Sequence, residues 1–226
     1  MLEAADISAI WVTIKLAFIS TFLLLLLGTP LAWWLAISRS KFKPVVNALV
    51  ALPLVLPPTV LGFYLLLALS PNGVIGRVFM EFGGTSLAFS FSGLVIGSVI
   101  YSLPFVVQPL RDAFNRIGIG PLETAATLGA TPIDRFLTIV LPLSWPGYLT
   151  ASVLGFAHTV GEFGVVLMIG GNIPGRTKVL SVSIYEQVEQ LNYDKAHTLS
   201  GLLLIVSFLL LLLVYISNRR SRVTQL

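Results

Sequence analysis

The sequence predicts an all-α integral membrane protein, and three observations carry that prediction. Of its 226 residues, 56% are hydrophobic and 11% are charged, against about a quarter charged in a soluble domain. The apolar residues gather in five runs, each near the roughly 20 residues that a helix needs to cross a bilayer. No run shows the short alternating segments of a transmembrane barrel. Backbone groups in lipid must be satisfied within their own segment, so the runs are read as helices.

The expected spans are 10–37, 47–69, 87–110, 143–169 and 198–216, within one transmembrane domain over residues 1–226. The first run follows Glu3 and Asp6 rather than a basic stretch, so it is expected to be a retained span and not a cleaved signal. The chain has no cysteine, which excludes a disulfide framework and a thiolate metal site. Lys and Arg in loops mark the cytoplasmic side. Arg39, Lys41 and Lys43 follow the first span, Arg111, Arg116 and Arg135 the third, and Arg219, Arg220 and Arg222 the fifth. These fall on one face if the spans alternate. The N-terminus is therefore expected outside and the C-terminus in the cytoplasm.

The second span carries Pro53, Pro57 and Pro58. Proline removes an intrahelical hydrogen bond and clashes with the preceding turn, so a Pro-Pro pair predicts a kink or break. Two readings stand: a bend packed against neighbouring helices, or an unwound stretch lining a substrate path.

Between the third and fourth spans lies a polar stretch over about 111–142. Leu122 to Gly129 has good helix formers ending in glycine, which suits a helix C-terminus. Thr131 is a candidate N-cap with Pro132 at the first helical position, and Asp134 adds negative charge to the first turn. The second helix is expected to carry Phe136 and Ile139 and to end near Leu141 and Pro142. Two short helices outside the membrane make a knob that another protein could grip.

This stretch resembles the EAA loop of ABC importer permeases, the transmembrane subunits of binding-protein-dependent transport. Glu123, Ala125, Gly129, Ile139, Leu141 and Pro142 stand at the matching offsets, and Thr124 replaces the first alanine of the pattern. The resemblance implies a type I importer permease fold in the bacterial or archaeal cytoplasmic membrane. It also implies that Glu123, Ala125, Ala126, Gly129, Ala130, Ile139, Leu141 and Pro142 couple the chain to an ATPase. No Gly-x-x-x-x-Gly-Lys-Ser/Thr run is present, so nucleotide is not held here by a P-loop. ATP and magnesium are expected on a partner ATPase, with no catalytic residue, metal site or cofactor in this chain. The other expected partners are a second copy of the chain, an external oxyanion-binding protein and membrane lipid, with no nucleic acid.

Two further stretches resemble the molybdate branch of that family and its sulfate and tungstate relatives: Leu52 to Tyr64, and Gly161-Glu-Phe-Gly164 followed by Gly170 to Gly175. The Pro-Pro form and the Asn-Ile-Pro-Gly run point to molybdate, with sulfate or tungstate as alternatives. Many relatives carry Arg four residues before the glutamate, where this chain has His158.

His158 and Glu162 share a helix face, and ionisable groups at membrane depth invite a functional reading. A carboxylate repels a dianion, so Glu162 is expected to pair with His158 or with backbone donors and to fix helix packing. Pro57, Pro58, Thr59, His158, Gly161 and Glu162 are the candidate pathway or gate residues. Thr59, Ser98 and Ser102 are hydroxyl candidates, although each is expected to bond back to its own helix. Gly155, Gly161 and Gly164 are expected to permit close helix approach. A proton-coupled transporter with a His158–Glu162 relay, a membrane-embedded enzyme and an ATPase anchor are the competing readings. The first leaves the pattern from Glu123 to Pro142 unexplained, the second needs a nucleophile–base pair or metal cluster for which two histidines and no cysteine offer little, and the third would recruit an ATPase without stimulation by substrate.

Overall fold

The computed structural model describes residues 3–223, with side chains described through residue 216. It is helical throughout. Helix α1 (Ala4–Ile37) leads through a short loop to α2 (Lys43–Ala51), a 3-10 turn at Leu52–Leu54, α3 (Pro58–Leu69) and α4 (Val74–Glu81). Helix α5 (Phe91–Ile117) precedes α6 (Gly120–Thr127), α7 (Pro132–Arg135), a π-turn at Phe136–Val140 and α8 (Leu141–Leu143). The chain continues through α9 (Trp145–Gly161), α10 (Gly164–Gly170), α11 (Leu180–Glu189) and α12 (Tyr193–Val223).

Among the described residues, four stretches are long and apolar enough to cross a membrane: Ala4–Ile37, Pro58–Glu81, Phe91–Ile117 and Tyr193–Ile216. A fifth candidate is the pair Pro132–Leu143 and Trp145–Gly161, bent by 71°. Helices α1, α5 and α9 pack on one another and form the trunk. One apolar cluster joins Leu24, Leu35, Val106, Leu110, Phe114 and Val140. A second joins Leu16, Leu94, Val166 and Val182 at the other end. Trp11, Phe18 and Phe22 of α1 and Leu204, Ile205, Phe208 and Leu209 of α12 are exposed. That outward apolar surface suits a bilayer and not water.

The helix ends show which elements share a side. Arg111 Nη1 donates to Asn47 Oδ1 at 3.0 Å and Lys43 Nζ donates to the Ala36 carbonyl at 3.4 Å. The end of α1, the start of α2 and the end of α5 therefore meet at a basic end. At the other end Lys195 Nζ lies 2.9 Å from Glu3 Oε2 and 3.2 Å from buried Asp6 Oδ2. This ties the start of α12 to the start of α1.

All five expected spans differ in detail: the third is Phe91–Ile117 where 87–110 was expected, and the fifth starts at Tyr193, five residues before the expected 198. The first helix starts at Ala4, six residues before the expected position 10; Glu3 and Asp6 form a capping box that begins the helix there. The second, 47–69, is two helices: the chain is extended at Pro57, with ψ 135°, and α3 restarts at Pro58. Proline cannot donate to the turn before it, so the Pro-Pro pair ends one helix and opens the next. The fourth, 143–169, is also broken: Glu162 is extended with ψ 132°, and α10 restarts at Gly164. Glycines at 161 and 164 flank that break and weaken the helix there.

Candidate functional site

The two broken spans meet. A β-carbon on Gly164 would lie 2.8 Å from Pro58 Cβ, and one on Gly62 would lie 2.9 Å from Met168 Cβ. Glycine at these positions lets α10 press directly on α3. A cavity of about 460 Å³ opens at the junction, lined by Pro58, Thr59, Tyr101, Ala157, His158, Gly161, Glu162, Phe163 and Gly164. Five of the six candidate pathway residues thus face one space, and Pro57 adjoins it as the residue that caps α3.

His158 and Glu162 reach this space by different anchors from those expected. Ser98 Oγ donates to Glu162 Oε2 at 2.8 Å. Ser102 Oγ lies 2.9 Å from His158 Nδ1 and 3.1 Å from Thr159 Oγ1. Among the described residues no ion pair joins His158 to Glu162. The break at residue 162 turns the carboxylate out of the helical register that would have stacked the two. Ser98 and Ser102 therefore cross from α5 to α9, where a bond back to their own helix was expected.

The backbone at the break is held from another side. Ser181 Oγ of α11 donates to the Glu162 carbonyl, and the Phe163 and Tyr185 rings lie 5.0 Å apart. Glu162 Oε1 is buried without a hydrogen-bond partner.

The glycines on α9 do two jobs. A β-carbon on Gly155 would stand 2.6 Å from Val106 Cγ2, so close approach requires glycine there. Gly161 has nothing within 4 Å of its would-be β-carbon. It opens onto the cavity and does not serve helix packing. The Gly170–Gly175 run forms a compact turn: Thr177 Oγ1 donates to the Gly170 carbonyl at 2.6 Å and accepts from Ile173 N–H at 3.1 Å.

A second cavity of about 900 Å³ lies toward the basic end, lined among others by Leu54, Phe105, Gln108, Arg116, Leu143 and Leu154. Phe105 and Gln108 carried no sequence signal. Their spacing on α5 is that of any apolar helix, and only the fold shows which face meets α9.

The knob stands at the same end. Gly129 takes φ +85°, a left-handed conformation that favours glycine and closes α6. Thr131 caps α7 by accepting from Asp134 N–H at 3.2 Å, and Asp134 accepts from the Thr131 backbone N–H at 3.2 Å in return. Bonds from the Thr131 hydroxyl and backbone hold the Asp134 carboxyl below the usual aspartate range. Arg135 Nη1 donates to the Leu122 carbonyl at 3.4 Å and clips the two helices together.

Glu123, Ala126, Gly129 and Pro142 are exposed, while Ala125, Ala130, Ile139 and Leu141 are half-buried beneath them. Leu128, Ile133 and Leu137 add exposed apolar surface. The second helix ends at Leu143, one residue past the expected Pro142, and a 71° bend there leads into α9. The knob and the cavity-lining helix are thus joined with only Ser144 between them.

Residues 28–222 match the family described as binding-protein-dependent transport system inner membrane component. The molybdenum transport system permease protein ModB of Azotobacter vinelandii is 56% identical over 218 residues, covering 96% of each chain. ModB of Haemophilus influenzae is 39% identical, covering 81% of this chain and 80% of the relative. The sulfate transport system permease protein CysT of Synechocystis is 36% identical, covering 87% of this chain and 68% of the relative. Among solved structures, a bacterial ABC transporter involved in import of the acidic polysaccharide alginate superposes with TM-score 0.75 at 21% identity, covering 98% of this chain and 80% of that one. An inward-facing MetNI methionine ABC transporter superposes with TM-score 0.71 at 21% identity, covering 96% and 94%.

Proposed function

Because this chain belongs to the family of binding-protein-dependent transport system inner membrane components, we propose that it is the channel-forming permease subunit of an ATP-driven importer of molybdate. It works as a homodimer by alternating access, with separate P-loop ATPase subunits and an external oxyanion-binding protein. One observation carries the mechanism. The exposed knob from Gly120 to Leu143 turns directly into α9, whose far end at His158 and Glu162 lines the cavity between the two broken spans. A push on the knob therefore reaches the cavity through one helix. A rigid helix transmits displacement where a flexible loop would absorb it.

The remaining assignments follow from this reading. The knob is cytoplasmic, so the N-terminus is outside and the C-terminus inside. Residues 1–226 act as one transmembrane unit in contact with lipid. Glu123, Ala125, Ala126, Gly129, Ala130, Ile139, Leu141 and Pro142 form or support the ATPase contact. ATP and magnesium act on the partner subunit, whose closure is passed on through the knob. Pro57, Pro58, Thr59, His158, Gly161 and Glu162 belong to the path. Molybdate is favoured over sulfate by the 56% identity to a molybdenum permease against 36% to a sulfate permease. Recognition is assigned to the binding protein, because a permease that held the anion tightly would slow its release.

The reconstituted complex tests this. Molybdate-loaded binding protein is expected to stimulate ATP hydrolysis by the permease–ATPase complex in vesicles, and unloaded protein to stimulate it less. Equal hydrolysis with and without binding protein, or molybdate uptake driven by a proton gradient with no ATPase present, would reject the proposal.

A further inference from the structure

The knob is fastened to the trunk by more than the chain that runs into α9. Backbone alone would make a compliant joint there. Ser144 is the one residue between α8 and α9, and the helices meet at 71°. Pro142 and Pro146 flank it and have no N–H to donate, so the helical ladder is interrupted on both sides. Ser144 is buried, and its hydroxyl donates back to the Val140 carbonyl at 2.6 Å.

Just before this joint the chain makes the π-turn Phe136–Val140, in which Leu141 N–H donates to the Phe136 carbonyl. Such turns are rare and cluster at functional sites. The first side chain of the turn reaches back into the trunk. The Phe136 ring stands edge-to-face on Trp33 of α1, with centroids 5.5 Å apart, and on Phe114 of α5 at 6.2 Å. Trp33 and Phe114 meet each other at 5.4 Å with planes at 87°. Phe114 is buried and meets Tyr148 of α9 at 6.1 Å. One ring from the knob thus sits against rings drawn from all three trunk helices. Leu122 of α6 packs on the same apolar cluster, which also holds Val140. Glu123, Ala126 and Gly129 of the knob stay exposed.

We propose that Phe136 is a positioning residue of coupling. Seated on Trp33 and Phe114, it locks the knob to α1, α5 and α9, so that a displacement imposed on the knob moves the trunk as one body and is not taken up as hinging at Ser144. The seat deepens the reading of the chain as an ATPase-coupled permease and rests on it for what pushes the knob. Edge-to-face ring contacts are directional, whereas an aliphatic side chain of similar bulk fixes no angle. The ring, and not its bulk alone, therefore holds the orientation of the knob.

The absence of native cysteine makes the test direct. The exposed residues Ile37 and Thr127, at the ends of α1 and α6, are changed as Ile37→Cys and Thr127→Cys and spin-labelled. Pulsed electron resonance reads the distance between them in permease–ATPase complexes that hold one doubly labelled copy, without nucleotide and with a non-hydrolysable ATP analogue and magnesium. With Phe136 in place, one narrow distance is expected, the same in both states. Phe136→Leu keeps apolar bulk and loses the ring. It is expected to broaden the distance and to make it shift on nucleotide binding, and Trp33→Leu is expected to do the same from the other side of the contact. Phe136→Tyr, which keeps the ring, is expected to preserve the narrow distance. In vesicles, Phe136→Leu is expected to raise the ATP hydrolysed per anion accumulated about tenfold, within the range of ordinary coupling between sites, with the ATPase still recovered on co-purification.

A shift of more than about 2 Å on nucleotide binding with Phe136 intact, the size of helix shifts in switching proteins, overturns the seat and needs no change at Phe136. A narrow, unshifted distance in Phe136→Leu also overturns it, as does an unchanged ratio of ATP to anion in that variant. The distance measurement uses no transported anion. Absence of molybdate uptake with the distance pattern intact would reject the substrate and leave the seat standing.

Discussion

Ser98 donates its hydroxyl to Glu162 at 2.8 Å across the contact between α5 and α9. The two residues are 64 positions apart. Their bond fixes the carboxylate at the break of a span, beside the cavity. Ser98→Ala is expected to lower the thermal stability of the purified protein by about 1 kcal/mol, the scale of interhelical hydrogen bonds in membranes. Glu162→Gln, which keeps the shape and an acceptor oxygen, is expected to change stability or coupled ATPase rate more than it changes which anion is carried. An inverted anion preference in that variant would place selectivity in the permease and contradict the account.

Two glycines on one helix give opposite expectations. Gly155→Ala pushes a methyl group to 2.6 Å from Val106 Cγ2 and is expected to cost about 1–3 kcal/mol as overpacking. Gly161→Ala meets nothing within 4 Å and is expected to stay within about 0.5 kcal/mol of the parent. Thermal melts in detergent decide between them. Equal destabilisation by both would mean that the α5–α9 contact is drawn wrongly.

Gly129→Leu places a side chain where φ is +85°, a strain of about 1–3 kcal/mol. Glu123→Lys reverses charge on the exposed face of α6. Both variants are expected to insert in the membrane and to lose transport, with less ATPase recovered on co-purification. Normal transport with a full complement of ATPase would remove the knob from the coupling path.

The Thr131–Asp134 cap sets a pH response. Its bonds depress the Asp134 pKa in the folded chain. The cap's contribution is therefore complete above the ordinary aspartate range and is lost as pH falls through the depressed folded value. Thr131→Val is expected to return Asp134 toward the ordinary range, read by carbon-13 titration of its carboxyl. No change on that substitution would show that the cap does not hold the charge.

How legible these features were depended on how local they are. The Thr131 cap, the turn at Gly129 and the break at Pro57–Pro58 each follow from neighbouring residues, and each could be read directly. The break at Glu162–Phe163 has no proline and lies inside an apolar run, so hydropathy passes over it. The stretch Gly161 to Gly164 gave a family resemblance without giving its shape. Ser98 and Ser102 were expected to bond to their own helix because their partners, 64 and 56 positions away, are chosen by the packing of α5 on α9. Phe105 was invisible for the same reason. Leu141-Pro142 marks the end of the knob helix to within a residue, but the 71° angle at which α9 follows is set by the packing of α9 on α1 and α5, which no local signal carries.

The most direct measurement of the central claim is uptake of labelled anion into vesicles that contain the permease, its ATPase and the binding protein. The account predicts ATP-dependent accumulation of molybdate, with tungstate close behind and sulfate poorer at equal concentration, abolished when any one component is left out. Sulfate uptake exceeding molybdate, or accumulation that persists without the ATPase, would contradict it.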